Sequence, residues 1–102
     1  MFDISPENLQ IVKSNLQKHV PQFEVWAFGS RVSTKAKKYS DLDLVIICQE
    51  PLPLSVYSAL CEEFSESDLP WKVDIVDWSS TQENFRKLIL QKYIIIQEGK
   101  LN

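Results

Sequence analysis

The sequence has only 2 glycines in 102 residues, where average usage would give about 7, so each is expected where the backbone requires it. It is also poor in metal-binding and redox chemistry, with 2 cysteines and 1 histidine. Cys48 and Cys61 stand 13 positions apart with no CxxC pair, a spacing that fits neither a zinc site nor a redox couple. Both are expected to be free, packed thiols in a reducing compartment. No apolar run approaches the ~18 residues that cross a bilayer; the longest are Leu44 to Cys48 and Tyr93 to Ile96. Positive charge is not in excess: the net charge is -3 and the pI about 5.1. That balance disfavours nonspecific nucleic-acid binding, which relies on Lys and Arg neutralising phosphates. The start, Met1-Phe2-Asp3-Ile4, lacks the basic and then apolar pattern of a signal peptide, so a cytoplasmic, non-membrane protein is expected. The length suits a single domain over residues 1–102, with no room for a second substrate-binding domain.

What is present is an ordinary soluble composition, 44% apolar and 25% charged, in alternating segments. Ser5-Pro6-Glu7 reads as a helix start, and Leu9, Val12 and Leu16 recur at helical spacing up to Pro21. His19 near that helix's end suits the dipole. Glu24 to Phe28 reads as a strand running into a turn at Gly29, and Arg31 to Ser40 as a loop rich in basic residues. Asp41 to Cys48 reads as a second strand. Leu54 to Phe64 has helical periodicity, with Glu62 and Glu63 outward. Trp71 to Trp78 reads as a third strand. Ser80 and Glu83 match a capping box opening a last helix that buries Phe85, Leu88 and Ile89. Tyr93 to Ile96 has a strand's composition, and Gly99 closes the last element. The expected class is α/β (α+β): a small mixed sheet of about four strands with helices packed on it.

Three features of this order carry chemistry. Gly29-Ser30 follows a strand, where a glycine lets backbone N–H groups approach an anion and a serine adds a hydroxyl donor; the same pair also makes a plain turn. Asp41 and Asp43, two apart on the expected strand, project to one face, where two carboxylates repel unless a cation lies between them. Mg²⁺ takes such ligands, completing its shell with phosphate oxygens and water. The other reading is a turn capped at Ser40-Asp41 with a solvated Asp43. Asp74 interrupts an otherwise apolar strand, where an unpaired carboxylate is costly, so a functional role explains it better. Asp77, an odd number of residues on, is expected to face the other way as a surface or turn acid. Arg31, Lys35, Lys37 and Lys38 stand near enough in sequence to neutralise a triphosphate, or form a solvated loop.

The spacing of these residues is specific. Gly29-Ser30, ten intervening residues and Asp41-Leu42-Asp43 resemble the signature of the minimal nucleotidyltransferase family within the DNA polymerase β superfamily. Phe28-Gly29-Ser30-Arg31, Ser40-Asp41-Leu42-Asp43-Leu44 and Val73-Asp74-Ile75-Val76 are similar to that family's flanking segments. The resemblance implies that Asp41 and Asp43 hold Mg²⁺, as one or two ions, and that Asp74 completes the site as ligand or base. It gives Gly29 and Ser30, with Arg31 and Ser40 beside them, to the nucleotide's phosphates. The implied reaction transfers AMP from ATP, or another nucleoside monophosphate from its triphosphate, to a helical HEPN-type partner protein, in the manner of a toxin–antitoxin pair. Two other functions stay open: a binding module that neutralises its partner by occlusion, and transfer to a small molecule. The tail from Tyr93 to Ile96 also leaves homo-oligomer formation open as an exposed strand edge. The chain departs from the family in lacking a loop glycine near Ser33-Thr34.

Overall fold

The computed structural model describes residues 2, 4–33 and 40–99. The loop reading for Lys35, Lys37 and Lys38, and the missing-glycine position at Thr34, lie outside the described residues. The element order is α1 (Pro6–His19), β1 (Glu24–Phe28), a 3₁₀ turn (Ser30–Val32), β2 (Leu42–Ile47), α2 (Leu54–Ser65), β3 (Val73–Asp77), a second 3₁₀ turn (Trp78–Ser80), α3 (Glu83–Gln91) and β4 (Ile94–Gln97). This is the expected alternation. The strands form one mixed sheet in the order β3-β2-β1-β4, with β1 antiparallel to β2 and β4, and β2 parallel to β3.

α1 starts where Ser5 accepts a hydrogen bond from the Asn8 amide, and Pro6 occupies the first turn, where a missing N–H costs nothing. Its Val12 and Leu16 pack with Leu60 and Phe64 of α2 against Val25, Ala27, Leu42, Leu44, Ile46, Ile75 and Ile96. Both helices therefore lie on one sheet face. Lys18 and His19 reach Glu63 at 2.8 and 3.1 Å, so the C-terminus of α1 is tied to α2 and Glu63 does not simply point outward.

The opposite sheet face carries the remaining alternate residues. There Trp26 stacks on Tyr93 with centroids 4.1 Å apart and meets Trp78 edge-on, while Phe28 meets Phe85 of α3 edge-on at 5.7 Å. Val45 and Ile89 are buried on this side, outside the main core. Coverage of both faces explains why β2 runs fully apolar after Asp43.

α3 departs from the sequence reading in two ways. The capping box at Ser80 and Glu83 does not form, because Ser80 closes the turn Trp78–Ser80 and the helix starts beyond Gln82, which makes no side-chain cap. Of the three apolar residues expected inside, only Ile89 is buried; Phe85 is 37% and Leu88 61% exposed. A helix lying on a partly filled face hides one narrow stripe, and Leu88 is one residue, about 100°, off it.

Gly99 does more than end an element. A Cβ there would lie 2.6 Å from the Gln22 carbonyl oxygen, so the backbone after β4 packs against the loop before β1. Both cysteines are free, Cys48 buried and Cys61 half-buried. Among the described residues no helix is long and apolar enough to cross a membrane.

Candidate active site

Parallel pairing of β2 with β3 sets Asp43 directly beside Asp74, and antiparallel pairing of β1 with β2 sets Phe28 beside Asp43. The residue after Phe28 is Gly29, so the turn leaving β1 closes over the Asp43 carboxylate. Gly29 has φ +82°, and a Cβ on it would lie 2.2 Å from Asp43 Oδ2. Glycine is thus required twice, for the left-handed backbone and for the carboxylate occupying the space of a side chain. Ser30 opens the 3₁₀ turn that follows, and its carbonyl accepts from the Ser33 amide and hydroxyl.

Asp41 lies one residue before β2 and is exposed, whereas Asp43 is half-buried. The strand is shorter than expected because its first ladder bond runs from the Leu42 amide to the Lys72 carbonyl, at 2.9 Å. Asp43 is pushed up from 3.8 to about 6, chiefly by burial, then by the negative charges of Asp74 and Asp41. The acids are close enough to repel. Among the described residues, however, no three Asp, Glu, His or Cys side chains converge as a closed ligand group.

This donor set fits a divalent ion of the Mg²⁺ type. Such an ion commonly takes one or two protein carboxylates and fills its shell from phosphates and water. Asp41 and Asp43, with Asp74 adjacent to Asp43 across the sheet, are the carboxylates that would hold such an ion, and their mutual repulsion is what a cation would relieve.

Arg31, a phosphate-binding candidate in the sequence, is held inside the fold. It is 3% exposed, donates from Nε to the Ser40 carbonyl at 2.8 Å, and lies over the Trp71 ring at 4.4 Å. A buried charge needs partners, and here a carbonyl and an aromatic face supply them. Ser40 is half-buried at the other side of that bond.

Asp43 and Asp74 line a cleft of about 520 Å³ whose walls include Phe28, Tyr57, Cys61, Ile75, Val76 and Phe85. Tyr57, Ile75, Val76 and Phe85 also border a second, mostly apolar cleft of about 610 Å³, completed by Pro51, Leu52, Leu54 and the segment Ser80 to Gln82. The Tyr57 hydroxyl donates to the Ile75 carbonyl at 3.2 Å, on the edge of β3 away from β2. Asp77 belongs to neither acid pair nor open surface. It accepts from the Leu52 amide, the Ser79 amide and the Cys48 thiol, which shapes the wall of the second cleft. Burial raises its pKa, but these hydrogen bonds outweigh burial and hold it below 3.8. Trp71 and Tyr57 have no sequence pattern that marks them; only the fold brings them to the site.

The sequence profile described as Polymerase beta, Nucleotidyltransferase matches residues 10–100. The chain belongs to that family. It is an enzyme of the nucleotidyltransferase class, with a four-stranded mixed sheet as its frame. It is similar to a protein described as probable protein adenylyltransferase MntA from Haemophilus influenzae, with 59% identity over 97 residues, covering 95% of this chain and 85% of that one. A toxin–antitoxin crystal structure with AMP-PNP superposes with a TM-score of 0.74 at 19% identity, over 91% of this chain and 75% of that one. An MNT antitoxin in complex with a tri-AMPylated HEPN toxin of Shewanella oneidensis superposes at 0.67 and 19% identity, over 90% and 71%. At such identities the two structures speak for the fold.

Proposed function

We propose that this nucleotidyltransferase moves AMP from ATP to a hydroxyl of a helical HEPN-type partner protein and releases pyrophosphate. The observation that carries the reading is the Gly29 turn closed over Asp43, with Asp74 adjacent across the sheet, in a chain 59% identical to the Haemophilus relative. Asp41 and Asp43 are assigned as ligands of Mg²⁺, one ion or two, and Asp74 as a further ligand or the base. The bound ion would neutralise phosphate charge and orient the α-phosphorus for in-line displacement.

The chain's own groups do the rest. The Gly29 backbone, with no side chain in the way, and the Ser30 hydroxyl receive the phosphates, with Ser40 bordering the same turn. The acceptor oxygen bonds to the α-phosphorus as the bond to the bridging oxygen of the β-phosphate breaks. The acceptor's proton passes to Asp74 where that carboxylate acts as base, and pyrophosphate leaves. A half-buried Asp43 held near Gly29 keeps the acids fixed while charge develops, so little reorganisation is needed.

Incubation of the chain with its partner, Mg²⁺ and ATP labelled at the α or the γ phosphate tests the reaction. Label on the partner from the α position only is expected; label from the γ position only would make it a kinase. A second reading, neutralisation by occlusion, is favoured by the exposed apolar side chains Phe85, Leu88, Leu90 and Ile95. Full protection of cells by an Asp41→Asn/Asp43→Asn chain would support occlusion, and loss of protection supports catalysis. The third option, transfer to a small molecule, predicts α label in a low-molecular-weight product instead.

A further inference from the structure

One side chain touches the base of all three segments that build the candidate site. Arg31 follows Ser30 directly, so its backbone belongs to the turn that leaves β1. Its Nε holds the carbonyl of Ser40, the residue before Asp41, at 2.8 Å. Its guanidinium lies 4.4 Å from the ring centroid of Trp71, which precedes Lys72 and β3. Lys72 in turn gives its carbonyl to Leu42 at 2.9 Å, the bond that opens the β2–β3 ladder carrying Asp43 and Asp74.

We propose that Arg31 is a positioning residue for the metal-binding acids rather than a ligand of the nucleotide: through Ser40 and Trp71 it sets the spacing between the Gly29 turn, Asp41 and the strand that carries Asp74. The proposal rests on the reading of these acids as a metal and nucleotide site. Arginine suits the task because its planar group donates in the plane and stacks by its face at the same time. A lysine ammonium can do the first but has no plane to stack. With 3% exposure the group is enclosed within the fold, and it is not among the residues that line the cleft of Asp43 and Asp74. Groups that orient metal-binding side chains typically cost about 10–100-fold in metal affinity when removed.

The test uses equilibrium binding of a fluorescent ATP analogue to the full chain, first in EDTA and then across a Mg²⁺ titration, with thermal melts as a control. The wild type is expected to bind more tightly as Mg²⁺ is added. Arg31→Ala is expected to keep its affinity in EDTA within about twofold while the Mg²⁺ concentration giving half the enhancement rises about tenfold or more. Arg31→Lys, which keeps the charge and one donor, should recover part of that rise. Trp71→Leu should reproduce it, and the double variant Arg31→Ala/Trp71→Leu should be no worse than the poorer single variant, since both act through one contact. Where the melts show Arg31→Ala unfolded, Trp71→Leu carries the test, with Trp71→Phe, which preserves an aromatic face, expected to keep a midpoint close to that of the wild type. An affinity lost in EDTA with the Mg²⁺ midpoint unchanged would make Arg31 a phosphate ligand and overturn the proposal, as would folded variants with unaltered midpoints. A wild type that ignores Mg²⁺ overturns the site reading itself and this proposal with it; failure of the arginine assignment alone leaves the wild-type response intact.

Discussion

A methyl group added at Gly29 would meet the Asp43 carboxylate at 2.2 Å on a backbone with φ +82°. Gly29→Ala is therefore expected to push Asp43 aside, lowering adenylyl transfer more than tenfold, at a stability cost of about 1–3 kcal/mol. Transfer assays and denaturant melts measure the two effects separately. At Asp43 the sign of the pH dependence follows from a carboxyl raised from 3.8 to about 6. Without metal the folded chain binds the extra proton more readily than the unfolded chain, so this group makes the protein more stable as pH falls through about 6. Its contribution levels off below the unfolded value. Asp43→Asn should abolish that dependence and be more stable than wild type at pH 7 by on the order of 1 kcal/mol, after discount for solvent screening of a half-exposed group. Activity should move the opposite way, falling below about pH 6 at limiting Mg²⁺ as the ligand becomes protonated. The sequence singled out Gly29 and Asp43 by a spacing that resembles the family signature, and Asp74 by its place in an otherwise apolar strand. The place of Arg31 was not legible, because a sequence shows its charge but not that Ser40 and Trp71 enclose it.

Among the elements, strands and the first two helices followed from periodicity, while the α3 region did not. Asp77 is the reason: it draws Ser79 and Leu52 to its carboxylate, so the chain makes a 3₁₀ turn before the helix can begin. Nothing in the order of residues distinguishes that acid from a surface one, since its partner Leu52 lies 25 positions away. Asp77→Ala should leave the Leu52 and Ser79 amides short of partners and cost about 1–3 kcal/mol in chemical denaturation. The exposure along α3 gives a paired expectation. Ile89→Ala should cost about 2–5 kcal/mol, whereas Leu88→Ser should stay within about 0.5 kcal/mol in the isolated chain, although the sequence reading gave both residues the same role.

For the molecule as a whole, the sheet separates two tasks. One face, under α1 and α2, holds the main core; the other carries the acids, Phe28 and the aromatic group around Trp26. Metal and nucleotide binding should therefore report on global stability without repacking the core. With Mg²⁺ and ATP at about 100 times their dissociation constant, the folded state should gain about 2.7 kcal/mol by mass action. EDTA should remove most of the gain, and Asp43→Asn should show little of it; a thermal melt of each chain measures the difference. Tyr57 bonded to Ile75 also occupies one carbonyl on the outer edge of β3, which limits pairing with another strand there.

The sequence by itself determined the alternation of helices and strands, the family, and the three aspartates with the Gly29-Ser30 turn. These are properties of local periodicity and of short spacings, which chain connectivity preserves. Tertiary structure alone decided that Asp43 and Asp74 are neighbours in register and that Gly99 packs on Gln22. It also decided that α3 buries only Ile89 of its three candidates, and that Arg31 joins the turn to Ser40 and Trp71. Each of those depends on segments distant in the chain meeting at ångström separations, and whether a charge faces solvent or a packed ring is set by that meeting.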